Sequence, residues 1–598
     1  MAARLFSSTR PILLIFNSTL KCKPQHRSKS IYFTSAISKS STVKLCQKRM
    51  QCCPPTVEQE MAVDDSPIVN EVFARASELP TGAKKIFEVR GRKILVVNDD
   101  GKYLATNGLC SHYNFPLETG VYFNGKIRCP LHGACFNMKT GDIEDYPGFD
   151  SLHAYEIKKV GDDLVIHTTE KRLASDRKTK KPPKVKICND HPIIVVGSGP
   201  SAANFVEHAR LNGLVTPITI VTEELHPPYD RVLLSKAPSS TSERVVMRKD
   251  DYFKENGIQI QTHSKVTDID TNKRLITVAS SSGERGQLPY SKLVLAVGGE
   301  VRRLTVPGSD LGNVHYLRRL EEANEISKSS PGKHVAIVGA SFIGMEIASS
   351  IYKEAASITV IANGEEPLPV FGVDVGRGIR KRFEDKGIKF ALNASVVGLE
   401  GMNGTVTGVK LGNGETLQAD MVIAGIGVFP PTDFISRAGI RTDKRGFILV
   451  DKNFRTSVDF VFAIGDSVSA PLPLWDIDTI NIQHWQTAQT HGHLLGYSIV
   501  GKPHPTPIVP FFWSLFFFEF GVRFAGCSDG HDEIITKGDA EGLNFVRYYL
   551  KNNRVVAVCT AGQMLTAIQF LEIFKRDIAV TRNDVEKNQD HDWISLIN

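Results

Sequence analysis

Two stretches of this chain share one design: an unbroken apolar run, a glycine-rich turn and the start of a helix. In the first, Pro192-Ile193-Ile194-Val195-Val196 leads into Gly197-Ser198-Gly199-Pro200-Ser201-Ala202. In the second, Val335-Ala336-Ile337-Val338 leads into Gly339-Ala340-Ser341-Phe342-Ile343-Gly344. Such runs suit parallel strands covered on both faces. The first glycine of each turn makes the bend, and the second admits a pyrophosphate close to the backbone. The third small residue packs helix on strand, and the helix N-terminus attracts negative charge. Ser341 stands where the second unit would have its middle glycine, which slightly limits backbone approach. Glu223 ends the next apolar strand, Ile218-Thr219-Ile220-Val221, where an acid binds a ribose hydroxyl. Two such units about 140 residues apart predict two nucleotide-binding domains.

At 598 residues the chain is too long for one core. Its net charge of +7 is unevenly spread. Ten of the 72 Lys and Arg lie in residues 1–57, which hold no acid; the other 62 face 65 acids, a net of −3. That body has no electrostatic footprint for nucleic acid, so none is expected as a partner. The basic, serine-containing segment 1–57 reads as a mitochondrial presequence. No run approaches the roughly 20 apolar residues of a membrane span. The richest, Ile508 to Phe518, reads as a buried strand or an interface.

A second constellation sits on the amino side: Cys110-Ser111-His112 and, sixteen residues on, Cys129-Pro130-Leu131-His132. Each knuckle offers one thiolate and one imidazole. Structural Cys2His2 zinc sites instead group like with like. One iron held by Cys110 and Cys129 and a second by His112 and His132 makes a [2Fe–2S] cluster of raised potential. Gly133, Phe136 and Gly141 extend a motif that resembles the Rieske domain. Only Cys135 lies near the cluster loops, so the extra disulfide of high-potential Rieske proteins has no partner here, and the resemblance is to the ferredoxin type.

Further residues carry a resemblance to flavin-dependent ferredoxin reductases and apoptosis-inducing-factor proteins. These are Pro228-Tyr229-Asp230-Arg231 with Leu234-Ser235-Lys236, then Ala296-Val297-Gly298-Gly299, and Gly465-Asp466. The resemblance implies a multidomain fold: a small all-β Rieske domain, two interleaved Rossmann-like α/β nucleotide-binding domains and a C-terminal α+β domain. The boundaries expected are 66–170 for the Rieske domain, 171–190 for a basic, solvated linker, 191–310 and 446–500 for the FAD-binding domain, 311–445 for the NAD(P)H-binding domain, and 501–598 for a dimerisation or interface domain that would make a homodimer. The residues from about Thr581 read as polar and loosely held.

The same resemblance implies that Gly197, Gly199, Ala202 and Glu223 hold the adenosine half of FAD. Arg231, Lys236, Ala296, Gly465 and Asp466 would serve the flavin half, with Trp485 opening a helix aimed at the ring. Gly339, Ser341, Gly344 and Glu346 would serve NAD(P)H, and Lys236 and Glu346 would pair as the catalytic couple. Ile361-Ala362-Asn363 carries neither the acid typical for NAD nor an arginine for a 2′-phosphate, though Glu365 or Glu366 follows in the loop. NADH is the modest preference.

The expected activity is an NAD(P)H oxidoreductase that passes electrons between nicotinamide, flavin and the Rieske cluster, its outside acceptor or donor unknown. A disulfide reductase would need a cysteine pair at the flavin, and beyond residue 187 only the solitary Cys188, Cys527 and Cys559 occur. A Rieske oxygenase would need two histidines and an acid at spacing for one iron; His484, His491 and His493 come closest but fall in the flavin-facing helix. The resemblance also implies a role in mitochondrial cell death, with a redox-regulated signalling or scaffold protein as the alternative reading.

Overall fold

The computed structural model describes residues 64–562 and 564–598; the segment read as a presequence lies outside them. The first unit is all β. Its six-stranded sheet runs in the order Ile68–Arg75, Asp163–Thr169, Ala154–Val160, Lys102–Asn107, Arg92–Asp99, Lys84–Val89. Val69, Ile94, Val96, Leu164 and Ile166 are fully buried in its core. A four-stranded sheet, Val121–Phe123, Lys126–Arg128, Cys135–Asn137 and Ile143–Asp145, carries the second Cys/His loop between its middle strands.

The basic segment that follows is exposed or half-buried apart from Leu173, as a solvated linker should be, and it is tied down at a few points. Lys178 and Ser151 exchange backbone hydrogen bonds at 2.8 and 2.9 Å, and Lys180 Nζ donates to the Ile143 carbonyl at 3.2 Å. A cationic segment stays ordered here because carbonyls and Asp142 meet its lysines.

Next come two parallel sheets. In the first, Ile193–Val196 lies between Ile218–Val221 and Lys292–Leu295, with Ile258–Gln261 and Val461–Ala463 outermost. Val461–Ala463 arrives some 160 residues after its neighbour Lys292–Leu295, so the chain leaves this unit and returns to it. The excursion builds the second sheet, with His334–Val338 between Met421–Ala424 and Ser357–Ile361 and with Val314–His315 and Lys389–Ala391 outside.

The last unit is a five-stranded antiparallel sheet, Phe511–Phe516, Phe520–Gly526, Arg554–Ala561, Asn544–Lys551 and Glu533–Asp539, packed against the helix Thr566–Lys575. The tail expected to be loose is anchored. Val585, Trp593 and Ile597 are buried, and the Trp593 indole donates to Tyr548 Oη at 3.1 Å. Three apolar anchors among polar neighbours are too sparse to show as a period, yet they suffice to hold the tail down. Among the described residues no helix is long and apolar enough to cross a membrane.

The β unit is docked on the others through buried charge. Arg128, 1% exposed, pairs with Asp145 at 2.8 Å and with Glu572 of the helix Thr566–Lys575 at 3.1 Å. Lys575 of the same helix also pairs with Asp145. Burial pushes the Asp145 carboxyl up, but Lys575 and Arg128 outweigh it and hold the group well below the usual carboxylate range. Arg248 meets Asp150 at 3.0 Å and the Phe149 carbonyl at 3.0 Å. Tyr146 Oη lies 2.7 Å from His208 Nε2.

Candidate redox site

Between the two parallel sheets and the C-terminal unit lies a cleft of about 860 Å³. Gly197 and Gly199 line one end, with Glu223 and Ala296 beside them. Gly197 has φ +102°, and a Cβ there would stand 2.3 Å from the Ala296 carbonyl oxygen, so only glycine fits the bend. At Gly199 a Cβ would meet nothing within 4 Å, which leaves the backbone open to a ligand above the helix Pro200–Leu211. Ala202 does not line the cleft; it is fully buried behind the turn. Gly465 likewise lies behind the wall, where a Cβ would strike Ser201 Oγ at 2.6 Å. The motif marks both positions, but their work is close packing rather than contact.

Asp466, Gln483 and Trp513 line the same cleft, and Asp466 Oδ1, Gln483 Oε1 and Trp513 Nε1 are buried without hydrogen-bond partners. Orphaned buried polar atoms are costly unless a ligand satisfies them, and three on one cleft suit a polar aromatic cofactor. Burial raises the Asp466 carboxyl, and Arg318 and Arg231 lower it only in part. Arg231 is held by Glu224 at 2.7 Å, by Tyr229 Oη at 3.1 Å and by the Arg318 carbonyl at 2.7 Å. Glu223 pairs with Arg319 at 3.0 Å. Trp485 lines the cleft at the first turn of the helix Trp485–Ser498, whose capping residue His484 accepts from the Gln486 amide. Burial, with Lys236 nearby, lowers His484 to about 3, so its ring is neutral. His484 was not marked for this site by sequence.

Lys236 and Glu346 line the cleft together and pair at 2.6 Å, both about 8% exposed or less as side chains. Behind Ser341, which lines both this cleft and a second of about 780 Å³, lie Gly339 and the strand end Ile361-Ala362-Asn363. Gly339 lines the second cleft at φ +108°. Gly344 does not line either; a Cβ there would stand 2.0 Å from the Gly339 carbonyl oxygen, so its role is packing. Glu366 lines the second cleft but is taken: Arg380 binds both its oxygens at 2.8 and 3.1 Å.

Cys110, Cys129, His112 and His132 converge as two pairs. The histidine Nδ1 atoms stand 3.0 Å apart, close to the separation of two nitrogens each about 2.1 Å from one metal. The two thiols share a hydrogen bond. That bond, with burial, raises Cys110, whereas Cys129, pushed up by burial, is brought below its usual value by the same bond and by the Leu131 and His132 amides. Backbone amides aimed at sulfur are what an iron–sulfur cluster uses. Burial lowers His112 to about 3 and His132 well below its usual range, so both imidazoles are neutral donors.

The two sites meet at one residue. Trp513, in the cleft wall, lies 3.6 Å from His132 between ring centroids, and Lys236 Nζ is 5.2 Å from its ring centre. On the other ligand, Tyr113 stacks on His112 at 3.7 Å and donates to Asp230 at 3.0 Å, next to Arg231. Sequence reading took the strand holding Trp513 only as an apolar stretch. The Pro-Phe-Phe-Trp-Ser run gives no local sign of the contact.

Comparison with known proteins agrees with this arrangement. Residues 191–492 match the family described as pyridine nucleotide-disulphide oxidoreductase, and residues 70–156 match the Rieske [2Fe-2S] domain. The chain belongs to the pyridine nucleotide-disulphide oxidoreductase family, as a member that carries a Rieske domain. It is similar to apoptosis-inducing factor 3 of Mus musculus, at 33% identity over 88% of each chain. It is also similar to the rubredoxin-NAD(+) reductase of Ectopseudomonas oleovorans, at 31% over 62% of this chain and 95% of that one. Among solved structures, the covalent putidaredoxin reductase–putidaredoxin complex matches with a TM-score of 0.62 at 27% identity, over 67% of this chain and 96% of that one. The protein is therefore an FAD- and nicotinamide-dependent oxidoreductase of the ferredoxin-reductase kind with a Rieske [2Fe–2S] domain in the same chain. The name of its family does not extend to disulfide chemistry here: Cys188, Cys527 and Cys559 are free, and burial raises Cys527 to about 11 and Cys559 to about 12.

Proposed function

We propose that the chain moves electrons from NADH through its flavin to its own Rieske cluster, and from there to an outside acceptor. The observation that carries this is the close contact of the His132 ring with Trp513 in the cleft wall, 3.6 Å between centroids. Related reductases, by their names, serve separate ferredoxins or rubredoxins. Here a Rieske domain occupies that role within the chain. When bound, FAD would accept one hydride, an electron pair, from nicotinamide and release the electrons singly, which suits a one-electron cluster.

In this reading Cys110, Cys129, His112 and His132 hold the cluster. Gly197, Gly199 and Glu223 receive the adenosine half of FAD, while Asp466 and Trp485 face its flavin half and Arg231 orders the loop beside it. Lys236, buried beside Glu346, orients the reacting end of the nicotinamide and sets the electrostatics of the cleft. Gly339 and Ser341 admit the nicotinamide dinucleotide to the second cleft. NADH is proposed over NADPH because no arginine ends the strand Ser357–Ile361. Mitochondrial residence rests on the composition of residues 1–57, and a part in apoptosis rests on the name of the mouse and human relatives. A Cys110→Ser variant that lost turnover yet kept killing activity would separate signalling from catalysis. The main reading is tested by anaerobic titration with NADH and NADPH, followed by electron paramagnetic resonance. NADH should reduce flavin and cluster together at lower concentration than NADPH. A cluster that stays oxidised beside a fully bleached flavin would refute the reading.

A further inference from the structure

The carboxylate of Glu346 is met by donors from two other parts of the chain. Lys236 Nζ stands 2.6 Å from Oε1, and Ser235 Oγ donates to Oε2 at 2.5 Å. Ser514 Oγ donates to Oε1 at 2.9 Å. Ser235 and Lys236 close the helix Val232–Lys236 of the first nucleotide-binding unit. Glu346 belongs to the helix Phe342–Ile351 of the second, and Ser514 to the strand Phe511–Phe516 of the C-terminal unit. All four residues are buried, Ser514 at 2% exposure.

An ammonium is a compact charge with three rotatable donors, so a lysine alone fixes the distance to a carboxylate but not the tilt of its plane. A hydroxyl on each oxygen removes that freedom. The hydrogen bonds also repay part of the cost of keeping a charged pair out of water. Trp513, the residue before Ser514, borders the same lysine. The C-terminal unit, expected from sequence to serve dimerisation or an interface, thus reaches the ion pair in the cleft wall directly.

We propose that Ser514 is a positioning residue for the Lys236–Glu346 pair, so that the C-terminal unit completes the centre where nicotinamide reduces flavin. This rests on the reading of Lys236 and Glu346 as the catalytic couple. Loss of the Ser514 hydroxyl leaves Oε1 with the lysine alone, and the carboxylate turns, drawing Lys236 from its place in the cleft.

The test uses full-length holoprotein with Ser514→Ala, Ser514→Thr, Ser514→Cys and Lys236→Ala. Anaerobic stopped-flow mixing with NADH gives the limiting rate of flavin reduction and the dissociation constant. Spectra and redox titration give the flavin band positions and midpoint potential. Ser514→Ala should lower the limiting rate about tenfold, equal to about 1.4 kcal/mol, with NADH affinity within about twofold. Its flavin band and potential should shift, Ser514→Thr should restore rate and potential, and Ser514→Cys, the fallback if the alanine variant loses flavin, should fall between. A Ser514→Ala protein with the parent rate and potential overturns the proposal, as does a threonine variant no better than alanine. If Lys236→Ala leaves flavin reduction unchanged, the catalytic couple itself is wrong. If Lys236→Ala slows it while Ser514→Ala does not, only the role of Ser514 falls.

Discussion

Trp513 touches both halves of the redox site: His132 lies over it at 3.6 Å and Lys236 Nζ sits 5.2 Å from its ring. Replacing the indole with an aliphatic group should weaken the passage to the cluster more than it disturbs the flavin. For Trp513→Leu, appearance of the reduced cluster should slow by a larger factor than flavin bleaching by NADH does. Stopped-flow absorbance for the flavin and rapid-freeze paramagnetic resonance for the cluster measure the two separately. The residues that sequence exposed and those it hid differ in a physical way. Cys110, His112, Cys129 and His132 were legible because metal ligation fixes residue types at short spacing. Lys236 and Glu346 lie 110 positions apart and were paired only through the family resemblance. Trp513 and Ser514 act through tertiary contact alone, so nothing in their neighbourhood announced them. Ala202, Gly344 and Gly465 show the converse: the motif marked them, and they pack behind the clefts.

Two helical supports help to hold the Rieske unit in place, beside the Arg248–Asp150 pair. One is the helix Thr566–Lys575, whose Glu572 and Lys575 join Arg128 and Asp145 in a buried four-charge network. Removing one partner of a buried network strands the others and typically costs about 3–5 kcal/mol. Glu572→Ala should therefore loosen the docked unit, seen as faster hydrogen exchange across residues 84–145 and slower cluster reduction, with flavin reduction by NADH preserved. The other is the pair of helices Pro200–Leu211 and Trp485–Ser498, whose His208 and His493 rings meet at 4.1 Å between centroids, beneath Tyr146 of the Rieske unit. Burial lowers His493 to about 4 and His208 well below its usual range. Groups buried neutral add stability above the unfolded histidine value near 6.5 and lose it as pH falls toward their folded values. Docking should thus weaken between about pH 6.5 and 4, by up to about 1.4 kcal/mol per pH unit for each histidine. Asp145, held low by Lys575 and Arg128, keeps its contribution throughout that window. Thermal unfolding followed from pH 8 to pH 4 checks this, and a flat profile would contradict it. The strand–glycine–helix units were readable because each is local. The basic segment after residue 170 keeps the exposure expected of it, while the contacts that tie it down come from distant carbonyls and were not legible.

For the whole molecule, the consequence of a fused and docked Rieske unit is a fixed electron count. Flavin holds two electrons and the cluster one, so complete anaerobic reduction should consume about 1.5 NADH per chain. A Cys129→Ser chain, without a cluster, should consume about one. The interleaving of the first sheet, where Val461–Ala463 returns beside Lys292–Leu295, keeps the two clefts adjoining, with Ser341 and Gln483 in both walls. The order of units was legible through resemblance, whereas the face on which the Rieske unit sits depends on distant partners: Glu572 for Arg128, 444 positions away, His208 for Tyr146, 62 positions away, and Asp150 for Arg248.

Docking within one chain makes cluster reduction a first-order event. The decisive measurement mixes oxidised protein with excess NADH anaerobically at chain concentrations spanning at least about tenfold and follows the cluster by rapid-freeze paramagnetic resonance. The account predicts one rate constant for cluster reduction, following flavin bleaching and unchanged by dilution. A rate that rises in proportion to protein concentration, or a cluster that remains oxidised after the flavin has bleached, would contradict it.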